Sequence, residues 1–218
     1  MLHLFVNGEG GLTTAGYGLG AALLAAGILA GLSLADRGGK RGFAARQLAY
    51  CAMAVALAYV TSFIRVFKLP YGGSVTLLSM LFIVLVANWY GVHTGILVGF
   101  AYGILQFLQE PYFLSLFQVC CDYVLAFAAL GLAGLFRGKK NSLTGYVVAV
   151  LARGVFHSIG GYLYWMDYMP ENFPQALRSL YPIIYNYSYL LAEAAVTAAV
   201  IKIPAVEQAL ERVRKAAL

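Results

Sequence analysis

Seven mostly apolar runs, separated by short polar breaks, set the pattern of the chain: Thr14 to Ala35, Phe43 to Phe67, Val75 to Trp89, Val92 to Leu108, Leu114 to Phe136, Tyr146 to Trp165 and Leu180 to Ile201. Runs of this length without regular alternation predict membrane-spanning helices. The third and fourth are the shortest, and Gly91 alone divides them. The expected architecture is all-α, a polytopic helical bundle with six helices in its core and the first run added as an extra N-terminal helix. Residues 1–42 would hold that helix and a basic loop, 43–202 the six-helix domain, and 203–218 a basic amphipathic tail. In the tail, Val206, Leu210, Val213 and Ala217 recur at helical spacing beside Arg212, Arg214 and Lys215.

Polar residues inside the runs form a second pattern. Arg153, His157, Gly161 and Trp165 recur at every fourth position. On a helix they make one stripe, because each step of four drifts by only about 40°. The helix rise puts Asp122 and Tyr123 about 12 Å below one face of the bilayer, His157 about 14 Å below it and Asn186 about 9 Å below it. Trp165 and Tyr181 fall at the rim, and Arg153 lies a turn deeper than His157. Ionisable groups inside a bilayer pair or work, so this convergence marks a candidate small-molecule site. An Asp122–Arg153 salt bridge that only locks two helices is the plainer alternative.

Composition fixes the solvent: 61% of the 218 residues are hydrophobic, 11% are charged, and the mean hydropathy is +0.77. Cytoplasmic loops hold the Lys and Arg excess. Arg37, Lys40, Arg41 and Arg46, then Arg137, Lys139 and Lys140, then Lys202, Arg212, Arg214 and Lys215 fall on one side if there are seven spans. The expectation is a multi-pass cell-membrane protein, N-terminus outside and C-terminus cytoplasmic. The net charge of +6 is then topological bias and attraction to anionic lipid rather than nucleic-acid binding. Cys51, Cys120 and Cys121 have no spacing that suits a disulfide framework or a zinc site. There is no phosphate-binding loop, nucleophile elbow or paired-histidine motif, so neither metal, cofactor nor enzymatic chemistry is expected.

One carboxylate beside imidazole, indole and phenol rings suits a flat cationic ligand, through charge pairing and cation–π contact. Several stretches carry a resemblance. They are Pro70 to Thr76, Gln118 to Tyr123 running on to Phe136, His157 to Gly161 with Trp165, and Tyr181 through Asn186. In order, they resemble the thiamin-specific S component of the energy-coupling-factor transporters, over roughly Phe43 to Ile201. The resemblance implies a subunit that captures thiamin from outside and works with a transmembrane coupling subunit and two cytoplasmic ATPases. It implies that Asp122 and Tyr123 serve the thiazolium and aminopyrimidine, that His157 and Trp165 stack, and that Gly161 leaves room. Tyr112, Tyr181 and Asn186 would add polar contacts, and Arg153 stands where relatives can carry Lys. The loop Tyr71, Gly72, Gly73 and Ser74 matches a lid, and Ala52 and Ala56 match a small-residue face that packs on the coupling subunit. The chain has Asp122 where some members have Glu, and no Trp near Gly73. An S component for another vitamin or a thiamin precursor, or a small membrane enzyme with Asp122 and His157 as acid and base, are the alternatives.

Overall fold

The computed structural model describes residues 4–37, 44–138 and 142–218; Lys40, Arg41, Lys139 and Lys140 lie outside the described residues. Its helices are α1 (Thr14–Arg37), α2 (Ala45–Ser62), α3 (Ser79–Tyr90), α4 (Val92–Gln109), α5 (Leu116–Phe136), α6 (Ser142–Tyr164), α7 (Tyr181–Ile201) and α8 (Pro204–Ala217). Among the described residues, five helical stretches are long and apolar enough to cross a membrane: those of α1, α4, α5, α6 and α7. The six-helix core also contains α2 and α3. Arg46 and Gln47 in the first turn of α2 lower its hydropathy, and α3 has only 12 residues. The chain is a multi-pass helical membrane protein.

Short as it is, α3 is the axis of the bundle. Met80, Ile83, Val84, Val86 and Ala87 are all within 1% of full burial, so this helix is apolar on every side because other helices surround it. It packs on α2, α4, α5 and α6. Close contact between α4 and α5 depends on missing side chains: a Cβ on Gly95 would meet Gly131 Cα at 2.8 Å. Helices that touch through such residues approach backbone to backbone, the usual solution where lipid offers no hydrophobic drive to associate. The added helix uses the same device. Gly20, Gly27 and Gly31 of α1 receive Leu108, Phe100 and Leu97, and the reversed numbering makes α1 antiparallel to α4. Gly16 instead faces the backbone of Phe5, and Gly18 meets nothing.

Two expected spans end differently. The run Phe43 to Phe67 stops being helical at Ser62, and Val75 to Trp89 becomes helical only at Ser79. The intervening residues form a hairpin of β1 (Arg65–Lys68) and β2 (Ser74–Thr76), joined by a 3₁₀ turn over Pro70–Gly72. Hydropathy could not separate the apolar β-branched residues Ile64, Val66 and Val75 from a helix of the same composition. Gly72 supplies the positive φ of 100° that the turn requires. Leu69 N–H donates to Gly73 O at 2.7 Å and closes it.

A buried carboxylate that the sequence reading passed over fastens this hairpin to the bundle. Glu193 of α7, 3% exposed, accepts from Thr76 N–H at 2.9 Å, Thr76 Oγ1 at 2.8 Å and Ser79 Oγ at 3.3 Å. Leu78, between those donors, has φ 63°, a left-handed conformation disfavoured for a branched side chain. That kink aims Thr76 and Ser79 at one acceptor. Thr76 Oγ1 and Ser79 Oγ also bond each other at 2.6 Å, so Glu193→Ala would strand two donors in an apolar interior, Thr76 N–H and one hydroxyl, each worth about 1–3 kcal/mol when unsatisfied. The expected outcome is a thermal midpoint lowered by several degrees in detergent, with Glu193→Gln, which can still accept from Thr76, lowered less.

Candidate functional site

Every element boundary near the hairpin falls at the same end of the bundle: the end of α2, the α4–α5 loop, the start of α5, the end of α6 and the start of α7. A cavity of about 750 Å³ opens between them. Asp122, Tyr123, Arg153, His157, Gly161, Trp165, Tyr181, Asn186 and Tyr112 all line it, as do Gly72, Gly73 and Ser74 of the hairpin turn. The side chain of Tyr71 is outside the description. Ala52 and Ala56 lie elsewhere, exposed on the lipid face of α2.

Asp122 owes its direction to a local fault in α5. Residues Cys120–Leu125 are π-helical, with one residue more per closed ring than an α-helix. No feature of the sequence announces this. Gly160 on α6 makes the space, since a Cβ there would stand 2.8 Å from Asp122 Oδ1. Gln118 Nε2, one turn earlier, donates to Asp122 Oδ2 at 2.9 Å, and Gln118 Oε1 accepts from Leu114 N–H at 3.1 Å. Gln118 is 1% exposed and was not singled out from sequence. Its position four residues before Asp122 was the available signal.

Three residues then make a polar chain across two helices. Arg153 Nε donates to His157 Nε2 at 3.2 Å, and His157 Nδ1 lies 3.4 Å from Asp122 Oδ1. A guanidinium only donates, so Nε2 must offer its lone pair; the proton therefore sits on Nδ1 and points to Asp122, and the imidazole is neutral. The Asp122–Arg153 salt bridge is absent: Arg153 reaches Asp122 only through His157. Its guanidinium carbon rests 4.1 Å from the centre of the Phe127 ring, a desolvated cation–π contact.

The remaining residues divide between wall and scaffold. Asn186 Nδ2 donates to Pro182 O at 2.8 Å and to His157 O at 3.3 Å, and its Oδ1 accepts from Tyr189 at 2.9 Å. Asn186 thereby ties α7 to α6 beneath the cavity. Gly161 lines the cavity, but a Cβ on it would meet Pro182 Cβ at 2.7 Å. The room it leaves is taken in part by α7. Tyr123 donates to Glu110 O at 2.9 Å and packs on Phe107, so its hydroxyl braces the α4–α5 loop. Trp165 has left the helix and packs against Tyr112 and Tyr168, 5.2 Å from each ring centre with the planes tilted by 37° and 54°. An aromatic wall results at the mouth.

The hairpin turn closes over this mouth. Tyr185 accepts from Gly73 N–H at 3.0 Å and donates to Pro70 O. A Cβ on Gly73 would lie 2.7 Å from the Tyr189 ring, so glycine is what lets the turn settle on α7. At the hairpin base, Arg65 pairs with Glu110 at 2.6 Å and Lys68 at 3.4 Å, joining β1 to the loop that carries Tyr112. Tyr185 and Tyr189 were not anticipated. With Tyr181 they follow a four-residue spacing that hydropathy treats as ordinary apolar periodicity.

The decisive comparison covers most of this architecture: a family described as thiamine transporter protein (Thia_YuaJ) matches residues 48–212. The chain belongs to that family. Thiamine transporter ThiT of Bacillus subtilis (strain 168) is 29% identical over 154 residues, covering 62% of this chain and 76% of the relative. The solved structure of ThiT from Listeria monocytogenes matches with a TM-score of 0.64 at 25% identity, over 79% of this chain and 97% of that one. The family match begins within α2, leaving α1 before it.

Within this thiamine transporter family member, the Gly160 gap is testable apart from any ligand. Gly160→Ala would push a methyl into Asp122, whereas Gly18→Ala meets open space. Overpacking of this kind is worth about 1–3 kcal/mol. The expected outcome is a lowered thermal midpoint for Gly160→Ala and none for Gly18→Ala.

Proposed function

We propose that the chain is the thiamin-capturing membrane subunit of an uptake transporter, with Asp122 as the residue that meets the positive charge. The contact of Asp122 with His157 at the wall of the cavity, on two helices and 35 residues apart in sequence, carries this reading. A carboxylate held by Gln118 and by a neutral imidazole keeps its charge unpaired toward the cavity, so a thiazolium can complete the pair. Buried opposite charges with one missing partner are strongly destabilised; the ligand would relieve that.

The other residues have roles that follow from their chemistry. Tyr112, Trp165 and Tyr168 offer ring faces for a flat heteroaromatic. Tyr181 and the remaining lone pair of Asn186 Oδ1 would meet the aminopyrimidine, His157 would offer it a ring face, and Gly161 keeps that wall flat. Arg153 keeps its positive charge, so the cationic ring would sit against Asp122 and away from the guanidinium, which His157 and the Phe127 ring hold in place. Tyr71 to Ser74 would act as a lid that opens by releasing Tyr185 from Gly73 and Pro70. Nothing here places a nucleophile or a leaving group, and the ligand would pass unaltered.

Orientation follows from charge. Arg46, Arg137, Lys202, Arg212, Arg214 and Lys215 belong to the ends of α2, α5, α7 and to α8, all opposite the lid. By the positive-inside rule the lid faces outside, the N-terminus with it, and the C-terminus is cytoplasmic. Energy would come from a transmembrane coupling subunit and two ATPases, since the chain has no phosphate loop. Ala52 and Ala56, exposed together on α2, would form the face on which the coupling subunit packs.

Thiamin titrated into the purified protein should quench tryptophan fluorescence. Of the two tryptophans, Trp165 lines the cavity and Trp89 is buried in α3, so Trp165→Phe should abolish the signal and Trp89→Phe should keep it. Asp122→Asn and His157→Ala should each weaken binding by at least about tenfold, the scale of one charge-assisted contact of roughly 1.4 kcal/mol or more. Unchanged affinity in both variants would overturn the site.

A further inference from the structure

The cavity has further polar groups, on α4, that the reading above leaves unused. Gln106 and Gln109, one turn apart at the end of α4, both line the cavity. Behind them lies Ser62, 2% exposed, at the end of α2. The three side chains form a closed set. Gln106 Nε2 is 3.0 Å from Ser62 Oγ and 3.0 Å from Gln109 Oε1, while Ser62 Oγ is 2.7 Å from Tyr59 O and 3.0 Å from Gln109 Oε1.

Counting protons shows what is left over. The single Ser62 hydroxyl proton goes to the nearer acceptor, Tyr59 O. Ser62 Oγ and Gln109 Oε1 then each accept one N–H from Gln106, which spends both of its amide protons. Gln106 Oε1 and Gln109 Nε2 have no partner among the described residues. One acceptor and one donor thus remain on two residues that line the cavity. Turning both amides over exchanges which residue supplies which, and the donor–acceptor pair persists. A carboxylate or phosphate would meet an acceptor where it needs a donor, and an ammonium the reverse. The complementary group is one that both donates and accepts, and a hydroxyl does so through a single atom.

We infer that Gln106 and Gln109, held in place by Ser62, form the subsite for the hydroxyl of the ligand's hydroxyethyl arm and so help to determine specificity for the free alcohol. This rests on the thiamin reading above and deepens it. The packing supports the placement. α4 packs on α1, α2, α3 and α5, whereas Asp122, His157 and Asn186 face the cavity from α5, α6 and α7. A ligand with its charged and aromatic parts against the residues of α5, α6 and α7 extends its arm toward α4. Asn or Gln in such a pair rejects the analogue that lacks the hydroxyl, because two amide groups are then left unpaired in a closed cavity.

The test compares thiamin with its deoxy analogue, in which ethyl replaces hydroxyethyl, by calorimetry on the full-length purified protein. Wild type should bind the deoxy analogue about tenfold more weakly, the scale of one neutral hydrogen bond with its desolvated partners. Gln109→Leu and Gln106→Leu should bind the two ligands within about twofold of each other, through loss of thiamin affinity alone. Equal affinities in wild type, or an undiminished preference for thiamin in both variants, would overturn the subsite while leaving thiamin binding intact. If wild type bound neither compound, the thiamin reading itself would fall, and the subsite with it.

Discussion

A polar group inside a bilayer has no water to turn to, and the whole site is arranged around that constraint. Asp122 has Gln118 on one oxygen and His157 on the other. His157 has Arg153 behind it, and Arg153 has the Phe127 ring. Each member holds the next in place, and the chain ends with the guanidinium against an aromatic face. The carboxylate is nonetheless left without a directly bonded cation, and the proposed thiamin contact rests on that. A direct Asp122–Arg153 pair would have used up the same charge internally.

The closed hairpin depends on α7 in the same way. Tyr185 holds the turn, Tyr189 packs under Gly73, and Glu193 fastens the end of β2 together with the start of α3. These three positions, spaced four apart, lie on one stripe of α7 that also bears Asn186 beside it. Ligand wall and lid therefore share a single rigid element. The hairpin turn is held near the rim by the hydrogen bonds of Tyr185 and the ion pairs of Glu110.

The sequence made the number and order of the helices legible, because apolar length is a direct demand of lipid thickness. It also showed which polar residues meet, since depth along a helix follows from counting. Direction around the helix was less accessible. Asp122 faces the cavity only because of a π segment, and hydropathy carries no trace of an i→i+5 bond. The hairpin was missed for a related reason: β1 and β2 are as apolar as the helix ends they interrupt. Glu193 was within reach, being an acid deep in a predicted span. Gln106 and Gln109 were not, as amides near helix ends are ordinary in any membrane protein.

The π segment resolves a conflict of phase. Downstream of it, Gly131 and Gly134 must face α4 so that the two backbones can touch; upstream, Asp122 must face the cavity. A regular α-helix fixes the angle between two positions once their separation is set; the wider π ring over Cys120–Leu125 and the tighter 3₁₀ turns over Ala129–Phe136, which bear both glycines, each shift that angle. The charged wall and the glycine seam can thus be tuned separately, and the widened turn is the joint between them.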